Sequence, residues 1–253
     1  MKVRDGGVVV AQRLQGSTIS RLLQAIGVAA TLSAATAVAD GSRYAWTAAE
    51  TRDHIQVFTS EVASHSYDAV RAKAVITAPA ARVIAMLQQF ERYSSWYHRV
   101  SEVRIVRQPK AMPEIGIGSD GSLLHVPDTG PWILFLRQHT PPLDDRWALL
   151  RCGLRAGPRG TLLIEFNSLQ RAFAEPKDAV RMDLRGYWEL RSIGPSHTEV
   201  TFMLDVDPNT VVPALFVDAE LRDVVVITLQ NLRKSLDPRA RNDARSSAAK
   251  VQD

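Results

Sequence analysis

The segment VVPALFVDAELRDVVVITLQNLRK, residues 211–234, decides the architecture, because it has the pattern of one long amphipathic helix. Its apolar positions recur at intervals of three and four residues, as one face of an α-helix requires. The apolar stripe consists of Ala214, Val217, Leu221, Val224, Val225, Thr228 and Leu232, whereas Glu220, Asp223, Gln230, Asn231 and Lys234 lie on the other side. The pattern predicts a helix over residues 211–235 that covers an apolar surface elsewhere in the chain.

Strand-like segments upstream of this helix supply that surface. Apolar runs alternate with polar residues and are separated by turns rich in Pro, Gly and Asp, which favours antiparallel strands joined by short connections. The predicted strands are 55–59, 70–78, 102–107, 115–125, 131–138, 146–154, 161–167, 182–191 and 198–206, with short helices at 46–53 and after Pro79. The predicted fold class is α+β, with a curved antiparallel sheet and a long C-terminal helix laid across its concave face.

The first 39 residues have the order of a cleavable export signal. Arg4, Arg13 and Arg21 precede an uncharged run over residues 22–36, and the small residues of 37–39 follow. The run is shorter than the roughly 20 apolar residues of a membrane anchor, so cleavage is favoured over retention as an anchor. We expect cleavage after the alanine at position 39 and a periplasmic or secreted protein.

Removal of this leader changes the charge of the protein. The chain has 31 basic and 27 acidic side chains, of which residues 1–39 carry four and one, so the net charge falls from +4 to about +1. No dense basic run with interleaved aromatic residues remains, and nucleic acid is therefore not expected as a partner. Cys152 is the single cysteine, so no internal disulfide can form. The predicted organisation is a signal peptide at 1–39, one domain at 40–236 and a disordered polar tail at 237–253.

Several segments, in this order, resemble those of START-type lipid-binding domains of the helix-grip superfamily. They are ITAPAARVIAML (76–87), TPPLDDRWALL (140–150), GYWELRS (186–192), TEVTFMLDVDP (198–208) and the C-terminal helix segment. The resemblance spans about residues 44–236. It implies an antiparallel sheet wrapped around the long helix, and an internal hydrophobic cavity that takes a lipid, sterol, fatty acid or polyketide. Trp147 departs from the family's pattern, in which an aspartate usually follows the arginine.

Strand alternation nominates the residues that would line such a cavity. If the face of Arg146 lines it, this buried cation needs a partner, which would be Asp144, Asp145, or a carboxylate or hydroxyl of the ligand. For each apolar candidate, ordinary core packing is the competing interpretation. The candidate ligand-binding residues are Trp132, Leu134, Arg146, Ala148, Leu150, Phe166, Trp188, Phe202, Val217, Leu221, Val224 and Thr228.

The catalytic and cofactor motifs in the sequence are weak. GIGSDG (116–121) fits the dinucleotide pattern G-x-G-x-x-G, but a strand is predicted after it, so a bend in the sheet explains the glycines better. The histidines lack metal-ligand spacing, and we expect no metal and no cofactor. Helix-grip relatives include polyketide cyclases and dehydratases, for which His125, Asp183 and Glu189 would be the acid–base candidates, although alternation turns the last two outward.

The sequence therefore favours an exported, non-enzymatic carrier of a hydrophobic small molecule. The alternatives are a cyclase-, dehydratase- or hydrolase-like enzyme on the same scaffold, and a filled domain that serves as an interaction module. Residues 126–131 and 207–210 are the predicted gates for ligand exchange. Transient membrane contact fits a carrier, and the sequence does not indicate an oligomeric state.

Overall fold

The structure is a computed structural model that describes residues 43–109, 114–120, 122–127, 130–170 and 173–237. The predicted signal peptide lies outside the described residues, as does the predicted tail after Asp237. The elements are β1 (Thr47–Arg52), β2 (Ile55–Ser60), β3 (Ala69–Ile76), α1 (Ala80–Leu87), β4 (Val100–Arg107), β5 (Gly116–Ile117), β6 (Leu123–His125), β7 (Trp132–Gln138), β8 (Asp145–Ala156), β9 (Leu162–Ser168), β10 (Ala179–Arg181), β11 (Asp183–Ser192), β12 (Thr198–Asp207) and α2 (Ala214–Leu236). Short 3₁₀ helices cover Phe90–Ser95 and Pro158–Gly160.

The strands form one large sheet with a mainly antiparallel order. Nine of them run β1-β2-β3-β12-β11-β9-β8-β7-β4, and β10 adds to β8 in parallel. The α+β class, with a large antiparallel sheet and a long C-terminal helix, is thus confirmed. Side chains alternate between two faces, and we call the face that carries Ala148 and Leu150 the inner face and the face that carries Trp147 and Leu149 the outer face.

The first element differs from the prediction. Residues 46–53 were expected to be helical, but Thr47–Arg52 form β1, which pairs with β2. Asp53 and His54 both have positive φ, 49° and 61°, as a two-residue hairpin turn of type I′ requires. Asp tolerates this conformation, and the short turn commits both flanking segments to strands.

The predicted long strand at 115–125 is also wrong, because the chain turns back within it. β5 and β6 form a separate two-stranded hairpin. The main-chain N–H of Gly118 donates to the Ser122 carbonyl at 2.8 Å, and the Asp120 carboxylate accepts from the Ser122 N–H at 3.0 Å. The described part of the GIGSDG stretch is therefore the strand β5 followed by a turn that leads to the strand β6, and it does not open a helix.

The C-terminal helix begins three residues later than predicted. Pro213 at its N-cap is extended, with ψ of 130°, so the helix starts at Ala214. Its buried side includes Leu221, Val225, Leu229 and Leu232, which pack into the main core. The helix lies chiefly on β2, β3 and β12. Neither helix in the described part of the chain has the length and apolar character that crossing a bilayer demands.

The rest of the inner face is covered by shorter elements. The 3₁₀ helix at Phe90–Ser95 packs beside β4, and α1 contacts β11. Ile117 and Leu123 of the β5–β6 hairpin are partly buried against the same core. Opposite β7, β8, β9 and β11, the cover therefore consists largely of two short helices and a hairpin, in place of one long helix such as α2.

Candidate ligand-binding interior

The structure brings the predicted wall residues together on the inner face. Trp132, Leu134, Ala148, Leu150, Phe166, Trp188, Phe202, Leu221 and Val224 are buried in one hydrophobic cluster, and Val217 packs against it partly buried. Thr228 is also buried, but its hydroxyl oxygen accepts the main-chain N–H of His98 at 3.1 Å. Thr228 thereby ties α2 to the chain before β4.

A second group of side chains that the sequence analysis did not nominate completes this interior. We call it the aromatic cluster: Phe90, Tyr93, Trp96 and Tyr97, which pack with Trp132, Trp188 and Phe202. Trp188 and Phe202 stack at its base with ring centroids 3.9 Å apart. The signal for the first four was the spacing of aromatic residues in FERYSSWY (90–97), which places them on one side of a helical turn.

The polar groups of the aromatic cluster differ in whether they have a hydrogen-bond partner. Tyr93 donates its hydroxyl to the Leu87 carbonyl at 2.6 Å. The indole N–H of Trp96 is buried and has no hydrogen-bond partner among the described residues. Tyr97 is 5% exposed and its hydroxyl has no hydrogen-bond partner among the described residues, but unlike the Trp96 nitrogen this oxygen is not fully shielded from solvent. A buried donor without a partner, such as the Trp96 N–H, is rare in folded proteins and costs about 1–3 kcal/mol, so it calls for an explanation.

The interior around these groups holds its titratable side chains in the neutral form. Burial raises the pKa of Tyr97 above its ordinary value, and burial is also the main reason that the pKa of Tyr93 is raised. Burial raises the pKa of Cys152 to about 12, so its thiol is not a thiolate nucleophile near neutral pH.

Arg146 is the buried cation that alternation predicted. It is 4% exposed, and burial lowers its pKa despite the opposing charge of Asp144. Its Nε donates to the Pro208 carbonyl at 3.2 Å, and its Nη1 donates to the Asp144 carbonyl. The carboxylate of Asp145 instead accepts from Arg137 and His139. Arg146 therefore has main-chain acceptors, and no described carboxylate forms an ion pair with it.

Arg146 also anchors one of the two predicted gates. Its bond to Pro208 holds the connection between β12 and α2, whose Thr210 and Val212 carbonyls both accept from the Tyr67 hydroxyl, at 3.1 and 3.3 Å. Val211, between Thr210 and Val212, is fully exposed. The connection is thus held by a few side-chain hydrogen bonds. The other gate, 126–131, is described only at 126–127 and 130–131.

A small recess opens at the opposite end of the strands. It has a volume of about 10 Å³, on the scale of one water molecule, and its lining is largely apolar. The residues that line it are Ala80, Ile84, Ile117, Leu123, Gly160, Leu162, Leu190 and Ser192. This recess lies between α1, the β5–β6 hairpin and the turn before β9, and a lipid would need these covering elements to move.

The acid–base candidates of the enzyme alternative do not converge. His125 is exposed on the β5–β6 hairpin. Asp183 and Glu189 have the parity of the outer face, opposite to Trp188 and Leu190. Within the described ranges, no cluster of His, Cys, Asp and Glu could hold a metal ion.

Trp147, which stands where the START-type pattern usually has an aspartate, lies on the outer face of the sheet. Trp147 is 1% exposed and stacks with Phe135 at 5.9 Å in a second hydrophobic cluster. Phe173, from the chain between β9 and β10, packs on both rings, and Arg181 lies 4.9 Å from the Trp147 ring centroid. The crossover that contains β10 buries this tryptophan, so it contributes to stability and not to the inner wall.

The fold and sequence were compared with known proteins. The profile described as "Polyketide cyclase / dehydrase and lipid transport" matches residues 76–233. An uncharacterized protein of Pseudomonas aeruginosa is 24% identical over 195 residues, which are 77% of this chain and 88% of that protein.

Two solved structures show the same fold. The STAR-related lipid transfer protein of Xanthomonas axonopodis superposes with a TM-score of 0.62 at 16% identity, over 76% of this chain and 98% of that chain. Human StAR-related lipid transfer protein 5 gives a TM-score of 0.62 at 12% identity, over 76% of this chain and 86% of that chain. At such identities the likeness concerns the fold alone.

The family description covers both enzymes and lipid-transport proteins, so membership assigns the scaffold and leaves the activity open. Because the profile covers more than half of the chain and the START fold covers three quarters of it, the chain belongs to the polyketide cyclase / dehydrase and lipid transport family.

Proposed function

We propose that this chain binds a hydrophobic small molecule, such as a lipid, sterol or fatty acid, against the inner face and carries it without chemical change. The observation that carries the proposal is the composition of this interior, where the predicted wall residues are apolar except for Thr228, which is hydrogen-bonded to His98, and Arg146, which has only main-chain acceptors. In a purely structural core, a cation without a carboxylate is costly. At the end of a lipid site, the same cation would orient an acidic or hydroxyl head group.

Burial of a chain-like ligand is large compared with the hydrogen bonds that hold the β12–α2 connection. Burial of ten methylene groups contributes about 8 kcal/mol. The hydrogen bonds that Arg146 and Tyr67 make to the β12–α2 connection contribute about 1 kcal/mol each in neutral cases and about 1.5–3 kcal/mol for the charged donor. Hydrophobic burial therefore exceeds the loss of these few bonds, even though the recess seen here is small.

Exposed apolar residues beside the same connection support a membrane as the source of the ligand. Leu215 and Phe216, in the first turn of α2, are 74% and 68% exposed, and Val211 precedes them. Leu143 is also exposed, and it precedes Asp144 in the chain. Arg146 donates hydrogen bonds both to the Asp144 carbonyl and to the Pro208 carbonyl, so Leu143 lies near the same connection. A bilayer would bury these side chains at the place where the connection opens.

Transfer of a fluorescent fatty acid or sterol between two populations of vesicles tests this proposal. We expect the double variant Leu215→Ser, Phe216→Ser to transfer about tenfold or more slowly than the wild type, because two apolar contacts with the bilayer are lost. Ile193→Ser removes an exposed apolar residue near the opposite end of the sheet and serves as the matched control. Failure of the wild type to bind any of these ligands, or their conversion to products, would overturn the carrier.

A further inference from the structure

We infer that Trp96 and Tyr97 form a subsite for a neutral oxygen, a hydroxyl or carbonyl, of the hydrophobic ligand. This inference rests on the proposed function, since it names the chemistry that the interior selects. The two donors lie side by side along the chain, with ring centroids 5.8 Å apart. Each ring also borders Trp188, at 6.2 and 6.3 Å.

The described part of the protein leaves hydrogen-bond donors of this segment without a protein acceptor. The Trp96 indole nitrogen is buried without an acceptor in the described part of the chain, and the Tyr97 hydroxyl bonds to no described residue either. Tyr93, one helical turn earlier, shows that this segment can satisfy a buried hydroxyl, because it donates to Leu87. Within residues 90–97, the indole and the hydroxyl without a partner belong to the two rings that contact Trp188 and Phe202.

The surroundings decide the charge of the ligand group. Burial raises the pKa of Tyr97. No described cation lies over the ring of Trp96 or Tyr97 or hydrogen-bonds to the polar atom of either side chain, so a carboxylate placed here would be buried without a counter-charge. A ketone or hydroxyl oxygen accepts a hydrogen bond from either donor without that cost.

Four twelve-carbon probes that differ only in their oxygen atoms test the subsite: dodecane, 2-dodecanone, 1-dodecanol and dodecanoate. Affinity is measured by displacement of 1-anilinonaphthalene-8-sulfonate. For the wild type we expect the ketone and alcohol to bind about five- to tenfold more tightly than dodecane, which is what one neutral hydrogen bond contributes. In Trp96→Phe and in Tyr97→Phe this ratio falls toward one, while the affinity for dodecane is kept.

Tyr93→Phe is the matched control, because it removes the same atom from the same cluster but from a hydroxyl that is already bonded within the protein. We expect it to lower stability and to leave the ratio of ketone to dodecane affinity unchanged. Equal binding of ketone and dodecane to the wild type would overturn the subsite and leave the carrier intact. A preference for dodecanoate that is lost in the Trp96 and Tyr97 variants would overturn the neutral class. Binding of none of the four probes would overturn the carrier itself.

Discussion

Substitution of Gly186 by alanine gives a sharp test of how closely the inner wall is packed. A Cβ at this position would lie 2.2 Å from the Met203 carbonyl oxygen and 2.6 and 2.7 Å from two ring atoms of Phe166. The carbonyl belongs to the neighbouring strand β12 and cannot rotate away, so β11 and β12 must separate locally. Overpacking costs about 1–3 kcal/mol, and the backbone contact puts this case near 3 kcal/mol. In a domain of about 200 residues, this corresponds to a fall of about 6–12 °C in Tm.

Urea denaturation of Gly186→Ala and Gly153→Ala measures this effect with an internal control. A Cβ on Gly153, in the same sheet, meets no atom within 4 Å. Gly153→Ala should therefore be neutral or stabilise by up to about 1 kcal/mol, because alanine restricts the unfolded chain. Adding Phe166→Leu to Gly186→Ala should recover part of the loss, since the ring contacts disappear but the Met203 contact stays. A Gly186→Ala protein within about 0.5 kcal/mol of the wild type would refute the packing described here.

Three further substitutions probe separate parts of the molecule. Trp147→Ala should destabilise by about 3–5 kcal/mol in urea and leave ligand affinity unchanged per folded molecule; a selective loss of affinity would place Trp147 in the site. Tyr67→Phe frees the β12–α2 connection and should speed ligand release and amide exchange there, with about 1 kcal/mol lost; unchanged release would contradict the gate. Burial opposes ionisation of Asp145, but bonds from His139 and Arg137 hold its pKa below the ordinary 3.8. Its stabilisation is thus present above about pH 4 and lost as pH falls below 3.8 through the folded pKa. Asp145→Asn should be less stable than the wild type at pH 6, and this difference should shrink as the pH falls below 3.8; a constant difference would refute the assignment.

Periodicity predicted the long elements because their pattern is repeated many times. The apolar stripe around Leu221, Val225 and Leu232 set the helix, and alternation from Arg146 to Cys152 set the inner face. Short strands were not predicted, because too few residues contribute to their hydrophobic pattern. The segment Thr47–Arg52 is a strand because a two-residue turn with positive φ pairs it with β2, and the amino-acid composition alone does not reveal this turn.

The polar chemistry of the interior was harder to predict than its apolar wall. The acidic residue beside Arg146 in the sequence suggested a local ion pair. In the structure, however, Asp145 pairs with Arg137 and His139, and Arg146 donates its hydrogen bonds to main-chain carbonyls. The unpaired nitrogen of Trp96 depends on what surrounds it in three dimensions. Sequence spacing could place this residue on the inner side of its turn, but could not show that no acceptor faces it.

Native mass spectrometry and solvent extraction of the protein purified from its native cells test the carrier most directly. The account predicts a hydrophobic molecule bound at about one per chain, which is released on unfolding and reduced in occupancy by Trp96→Phe. A chain that is purified with nothing bound, and from which none of the twelve-carbon probes displaces the fluorescent reporter, would contradict it.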